Sequence, residues 1–151
     1  MADRFRFERI LVAYDGSRDA TRAVLVGGEL AKMFGSSLTV VHVFSPPSAA
    51  YGSVAGMPAP DFTELEDASK DRARTVLDKG VKAARDAGAA STGKLIESES
   101  AVQAIVEYAA KAKADLIVAG TRGRTGFRRL VLGSVSSGLV AHASCPVLVV
   151  R

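Results

Sequence analysis

Five short apolar runs rich in β-forming residues alternate along this chain with stretches whose apolar residues recur at helical spacing, and this alternation most constrains the fold. The apolar runs lie at 9–14, 37–44, 92–98, 115–120 and 146–150. The stretches of helical periodicity lie at 17–34, 61–87, 100–112 and 133–143. Strands that alternate with amphipathic helices favour a parallel sheet covered by helices on both faces. The sequence therefore predicts an α/β fold with an open five-stranded parallel sheet.

The same alternation predicts where a ligand would bind. Right-handed crossovers limit the possible topologies, and we expect the strand order 3-2-1-4-5. In a doubly wound sheet, ligands bind outside the carboxyl ends of the strands, where the strand order reverses. That crevice would lie between the first and fourth strands. Asp15 follows the first strand and Gly120 ends the fourth, so we expect these two residues to face each other.

Length and composition are those of an ordinary globular protein. The 151 residues, 48% of them hydrophobic and 24% charged, suit a single domain over 1–151. No apolar run approaches the ~20 residues that span a membrane, and the N-terminus lacks the apolar core of a signal peptide. We therefore expect a cytoplasmic protein without membrane contact. Residues 45–60 hold four of the five prolines and predict a flexible loop.

The charge and the cysteine and histidine content exclude several classes of site. A net charge of +4 is modest, and nucleic-acid binding is not expected from it. The single cysteine, Cys145, rules out an intrachain disulfide or a cysteine-cluster metal site, and we expect it to be a buried structural thiol. His42 and His142 lack metal-ligating partners at suitable spacing and are expected to be packed.

A glycine-containing segment follows the fourth strand and leads into the last helix. Its glycines and one serine have the spacing G-x2-G-x9-G-S: Gly120, Gly123, Gly133 and Ser134. This spacing is neither a Walker A nor a Rossmann motif. Backbone N–H groups of such a loop and helix N-terminus bind anions, and Arg122 and Arg124 could add charge-assisted contacts. The alternative is that the glycines serve only tight turns.

Asp15 allows two interpretations on local sequence alone. A carboxylate at the end of a strand suits a ribose hydroxyl or a metal ion. It equally suits an Asx-turn or a helix cap, and Ser17 is a natural N-cap for the first helix. No pair of carboxylates is placed for acid–base chemistry, and Glu97 and Glu99 are expected to lie on a solvated edge.

These residues resemble those of a known family. The chain is similar to single-domain universal stress proteins of the ATP-binding subclass over nearly its whole length. The segments that carry the resemblance are RILVAYDGS, VVHVF, ADLIVAGTRGRTGFRRLVLGSVSSGLV and HASCPVLVV. The nucleotide signature of that family, G-2x-G-9x-G-[S/T], is satisfied in both spacing and residue type. The resemblance implies a Rossmann-like fold of the adenine nucleotide alpha hydrolase-like type.

The resemblance also implies a ligand, a metal and an assembly. ATP would be the ligand, with Mg²⁺ or Mn²⁺ bridging its phosphates, and two copies would form a homodimer through the last strand at 146–150. The implied binding residues are Ala13, Tyr14, Asp15, Val43, Gly120, Thr121, Arg122, Gly123, Arg124, Gly133, Ser134 and Val135. The chain departs from the family pattern after the third strand, where Glu97 and Glu99 occupy a turn that contains glycine in many relatives.

Three functions are consistent with these residues. The leading one is an ATP-binding stress-response or regulatory protein with little or no catalysis. A slow Mg-dependent ATPase is the second. The third is a dimeric interaction module that binds AMP or cyclic AMP, or no ligand at all.

Overall fold

A computed structural model describes residues 6–47, 61–122 and 132–151. Strands and helices alternate in the predicted order, with ends within two residues of those expected. The strands are β1 (Arg9–Ala13), β2 (Ser37–Phe44), β3 (Ser91–Glu97), β4 (Leu116–Gly120) and β5 (Val147–Val150). The helices are α1 (Arg18–Phe34), α2 (Thr63–Asp86), α3 (Ala101–Lys111) and α4 (Ser134–His142). Most of the loop predicted at 45–60 lies outside the described residues.

The five strands form one parallel sheet in the order β3-β2-β1-β4-β5, which confirms the predicted order 3-2-1-4-5. β1 lies at the centre, where Ile10 pairs with Leu38 of β2 on one side and with Leu116 of β4 on the other. β5 lies at the edge, and its Leu148 pairs with Val118 of β4. Because β1 and β4 are neighbours, their carboxyl ends meet at the point where the strand order reverses.

Two hydrophobic cores cover the two faces of the sheet. Successive side chains of a strand point to opposite faces, so β1 contributes Ile10 and Val12 to the core beneath α1 and α2. Leu11 joins the core beneath α3 and α4, where Leu139 of α4 and Ile117 of β4 are fully buried. Helices therefore cover both faces, as the apolar strands predict.

Local capping fixes the position of α1 relative to the sheet. Ser17 is its N-cap and accepts a hydrogen bond from the N–H of Ala20, as predicted. Gly35 ends the helix in the left-handed conformation, with φ of 67°, which glycine adopts without steric cost. α1 consequently begins close to the carboxyl end of β1.

Cys145 differs from the expectation of a buried thiol. It is partly buried, because it lies in the turn before β5 rather than within the core. Burial raises the pKa of its thiol, and the negative charge of Asp115 adds to the effect. No helix within the described ranges combines the length and apolarity that crossing a membrane requires.

Candidate functional site

A cleft of about 250 Å³ opens at the carboxyl ends of the central strands. β1, β2 and β4 form its floor, and the first turns of α3 and α4 form its walls. Most residues predicted to form the site line it: Ala13, Tyr14, Asp15, Val43, Gly120, Arg122, Gly133, Ser134 and Val135. Gly123 and Arg124 lie outside the described residues. Asp15 and Gly120 thus share one cleft, as the strand order predicts.

The N-terminus of α4 supplies backbone donors to this cleft. Gly133 is the N-cap, and no side chain of the described residues caps the helix. Ser134, Val135 and Ser136 form the first turn and line the cleft. The first N–H groups of a helix have no partner within the helix, and the helix dipole gives that end a partial positive charge. This end of the cleft is therefore suited to an anion.

Thr121 adjoins the cleft and joins three elements. Its N–H donates to the carbonyl of Val150 at 2.8 Å, and its carbonyl accepts from the N–H of Gly133 at 2.7 Å. The same carbonyl accepts from the hydroxyl of Ser136 at 3.2 Å. The side-chain hydroxyl points toward α1, where it donates to Asp19 at 2.8 Å. Thr121 therefore joins the end of β4 to three other elements, β5, α4 and α1, without itself lining the cleft.

Gly120 lacks a side chain for a reason that the sequence did not reveal. A Cβ at this position would lie 2.6 Å from the carbonyl carbon of Asp19 and 2.8 Å from the backbone nitrogen of Ala20. Both are backbone atoms, so neither can rotate away. The glycine thus allows the end of β4 to pack directly against the first turn of α1, in addition to lining the cleft.

Asp15 makes the Asx-turn that was one of its two interpretations. Its Oδ1 accepts a hydrogen bond from the N–H of Ser17 at 2.9 Å. The residue is partly buried and lines the cleft. The turn therefore fixes the carboxylate at the edge of the cleft. That this carboxylate binds a ribose hydroxyl or a metal ion stays a prediction.

Tyr14 lines the cleft and also connects β1 to α2 and β2. The ring packs against α2, where a Cβ on Gly80 would come within 2.6 Å of it. The carbonyl of Tyr14 is 2.8 Å from Nδ1 of His42. His42 is buried, as expected of a packed histidine, and this contact ties the end of β1 to β2.

A family model described as the universal stress protein family matches residues 6–151. The chain belongs to the universal stress protein family. A universal stress protein of Thermus aquaticus is 41% identical over 150 residues, which are 96% of this chain and 99% of that relative. Membership explains why the signature glycines and the preceding strand occur together.

Solved structures of the family have the same fold. The universal stress protein UspA of Lactobacillus plantarum superposes with a TM-score of 0.79 at 28% identity, covering 97% of this chain and 99% of that one. The universal stress protein of Archaeoglobus fulgidus, solved in complex with dAMP, has a TM-score of 0.67 at 25% identity, with 96% and 98% covered.

The two acidic residues at the departure from the family pattern after β3 do not line the cleft. Glu97 and Glu99 are exposed and are not among the described residues that line the cleft. Glu97 instead lines a second groove beside α2, which also contains Lys70 and Arg74. In place of a glycine turn, the hydroxyl of Ser98 accepts from the N–H of Ser100 at 3.1 Å.

An apolar wall of the cleft was missed by the sequence reasoning. Ala101 and Ile105 of α3 and Val41 of β2 line it. The helical periodicity of residues 100–112 predicted α3, but the sequence does not show which turn of that helix lies above the strand ends. The usable signal was the position of Ser100, the N-cap of α3, since it places the first turn of α3 just after β3.

Proposed function

We propose that this cleft binds an adenine nucleotide, with ATP as the ligand, and that the protein acts as a stress-response regulator in the cytoplasm. One observation carries the proposal. The N-terminus of α4, which no described side chain caps, converges with the carboxylate of Asp15 and the apolar wall of α3 on one cleft at the switch point of the sheet. The dAMP complex of the Archaeoglobus fulgidus relative supports the choice of an adenine nucleotide.

Each part of a nucleotide has a suitable counterpart in the cleft. The base would lie against the side chains of Val41, Ala101 and Ile105, since nucleobases favour apolar surroundings with few polar contacts. The carboxylate of Asp15 suits the ribose hydroxyls. The first N–H groups of α4 would bind phosphate, because a helix N-terminus favours anions. Arg122 would add a charge-assisted contact.

A divalent cation fits this arrangement. Mg²⁺ is usually held by one or two carboxylates together with phosphate oxygens, and Asp15 is the one carboxylate among the described residues that line the cleft. Asp15 would hold the ion, which would offset the negative charge of a di- or triphosphate. We therefore expect Mg²⁺ to strengthen the binding of ATP more than that of AMP.

The proposal is tested by narrowing the cleft. Ala101→Leu adds three carbons to the apolar wall, and we expect it to weaken ATP binding more than about tenfold, because overpacking a fitted site costs roughly 1–3 kcal/mol. Ala110→Leu is the matched control, since Ala110 is an exposed residue of the same helix and does not line the cleft. Isothermal titration calorimetry with ATP, ADP, AMP and adenosine measures both variants and the wild type.

Three results would contradict all or part of the proposal. Wild-type protein that binds none of the four compounds would exclude nucleotide binding. Equal affinities for Ala101→Leu and Ala110→Leu would place the ligand elsewhere. A preference for AMP over ATP would retain the cleft but overturn the assignment of the triphosphate.

We also propose that two copies pair through β5. This strand is at the edge of the sheet and carries Leu148, whose exposed fraction is 37%. Val140 of the neighbouring α4 is 53% exposed. An uncovered apolar edge strand invites pairing with another chain, and a second copy would cover it.

A further inference from the structure

Asp19 lies at the junction between α1 and the segment that leaves β4. It belongs to the first turn of α1, and its side chain is 15% exposed. Its Oδ2 accepts a hydrogen bond from the hydroxyl of Thr121 at 2.8 Å and lies 3.6 Å from Nε of Arg122. Asp19 itself is not among the described residues that line the cleft.

Two contacts fix the start of α1, which carries this carboxylate, against the end of β4. The missing Cβ of Gly120 lets the backbone of β4 approach the backbone of Asp19. The hydroxyl of Ser17 lies 3.4 Å from the carbonyl oxygen of Arg122, to which it donates. The start of α1 therefore contacts both Thr121 and the backbone of Arg122. These contacts bring the carboxylate of Asp19 next to the side chain of Arg122.

Arg122, by contrast, has an exposed side chain. It is 48% exposed, yet it lines the cleft. Its contact with Asp19 is made through Nε, and the two terminal Nη groups project beyond that atom. A guanidinium bound on one side by a carboxylate can still offer its remaining donors to a phosphate, because it carries five N–H groups in a fixed plane.

We propose that Asp19 is a positioning residue that holds Arg122 toward the phosphate of the bound nucleotide. The inference rests on the proposed function of the cleft and deepens it. An unrestrained arginine side chain loses rotamer entropy when it is immobilised. Asp19 restricts Arg122 before the ligand arrives, so less of that entropy is lost on binding. Selectivity for phosphorylated over unphosphorylated adenosine then depends on Asp19 as well as on Arg122.

The negative charge of Asp19 does not oppose this role. Its carboxylate is mostly buried and faces Thr121 and Arg122. The guanidinium of Arg122 is in contact with that carboxylate, and an opposite charge in contact offsets most of the repulsion that a phosphate would experience. We therefore expect the loss of Asp19 to weaken phosphate binding, although it removes a negative charge.

A double-mutant cycle tests the inference. Asp19→Asn keeps the size of the side chain and an oxygen that accepts from Thr121, but it removes the charge that holds Arg122. We expect it to weaken AMP binding about threefold to fivefold, the scale of a partly exposed ion pair, and to leave adenosine binding unchanged. In the background of Arg122→Gln, we expect Asp19→Asn to have no effect on AMP binding. Calorimetric titration measures all four proteins.

The cycle separates a positioning role from a structural one. Asp19→Asn also removes the favourable interaction between the Asp19 charge and the dipole of α1. That loss is the same in the wild type and in Arg122→Gln. An equal loss of AMP affinity with and without Arg122 would overturn the inference, as would an unchanged affinity of Asp19→Asn or an equal loss for adenosine. Wild-type protein that binds no AMP would overturn the proposed function together with the inference.

Discussion

Two adjacent glycines of α1 have different surroundings at the scale of single residues. A Cβ on Gly27 would lie 2.7 Å from Cγ2 of Val12, which is fully buried in the centre of the sheet. A Cβ on Gly28 would lie 3.4 Å or more from its neighbours, which is ordinary van der Waals contact. Close packing therefore requires a glycine at position 27, whereas position 28 has room for a methyl group.

This contrast predicts opposite effects of the same substitution. Replacing glycine by alanine within a helix stabilises it by roughly 0.5–1 kcal/mol, and we expect Gly28→Ala to raise the free energy of unfolding by about that amount. Gly27→Ala gains the same helix stabilisation, but overpacking against Val12 costs about 1–3 kcal/mol. We therefore expect Gly27→Ala to lower the free energy of unfolding. Urea unfolding of the two variants and the wild type measures the difference. Equal stabilities for the two variants would contradict the packing described for Gly27.

At the same scale, two of the residues predicted to bind the ligand have structural roles beside their place in the cleft. Gly120 allows β4 to pack on the backbone of Asp19, and Asp15 forms an Asx-turn with Ser17. The packing role of Gly120 was not predicted, whereas for Asp15 the sequence reasoning treated a structural role and ligand binding as alternatives. The two are compatible, because the turns that shape the chain here also direct backbone and carboxylate groups to one edge of the sheet.

At the scale of elements, the helix ends, the strands and the strand order could be predicted from the sequence. The ends of α1 follow from the Ser17 cap and from Gly35 in the left-handed conformation, and both signals are present in the local sequence. The strands read as continuous apolar runs because they are buried on both faces. Strand order followed from handedness and from the alternation of elements, and it brought Asp15 and Gly120 together.

The parts that the sequence did not predict depend on packing between elements. Which turn of α3 lies above the cleft is set by how that helix rests on the sheet, so Ala101 was missed. The direction of the Tyr14 ring is set by the space that Gly80 leaves on α2. The contact between Asp19 and Thr121 joins residues 102 positions apart. None of these has a signal in the local sequence.

At the scale of the whole molecule, the proposed pairing through β5 predicts a specific loss of assembly. Leu148→Glu places a charge on the edge strand, where burial between two copies would cost several kcal/mol, and we expect it to yield monomers. Met33→Glu is the matched control, because Met33 is 75% exposed and belongs to α1 rather than to the edge strand. Sedimentation velocity measures the mass of each protein. A wild-type monomer, or a dimer of Leu148→Glu as stable as the wild type, would contradict the pairing.

The central claim is that an adenine nucleotide binds at the carboxyl ends of β1 and β4. Amide NMR spectra of the ¹⁵N-labelled protein, recorded while ATP is added, test it most directly because they report both binding and its location. We expect the largest shifts at Asp15 and at the first turn of α4, around Ser134 and Val135, with little change at Gly93 and Leu95 in the second groove. Shifts confined to that second groove, or none at millimolar ATP, would contradict the claim.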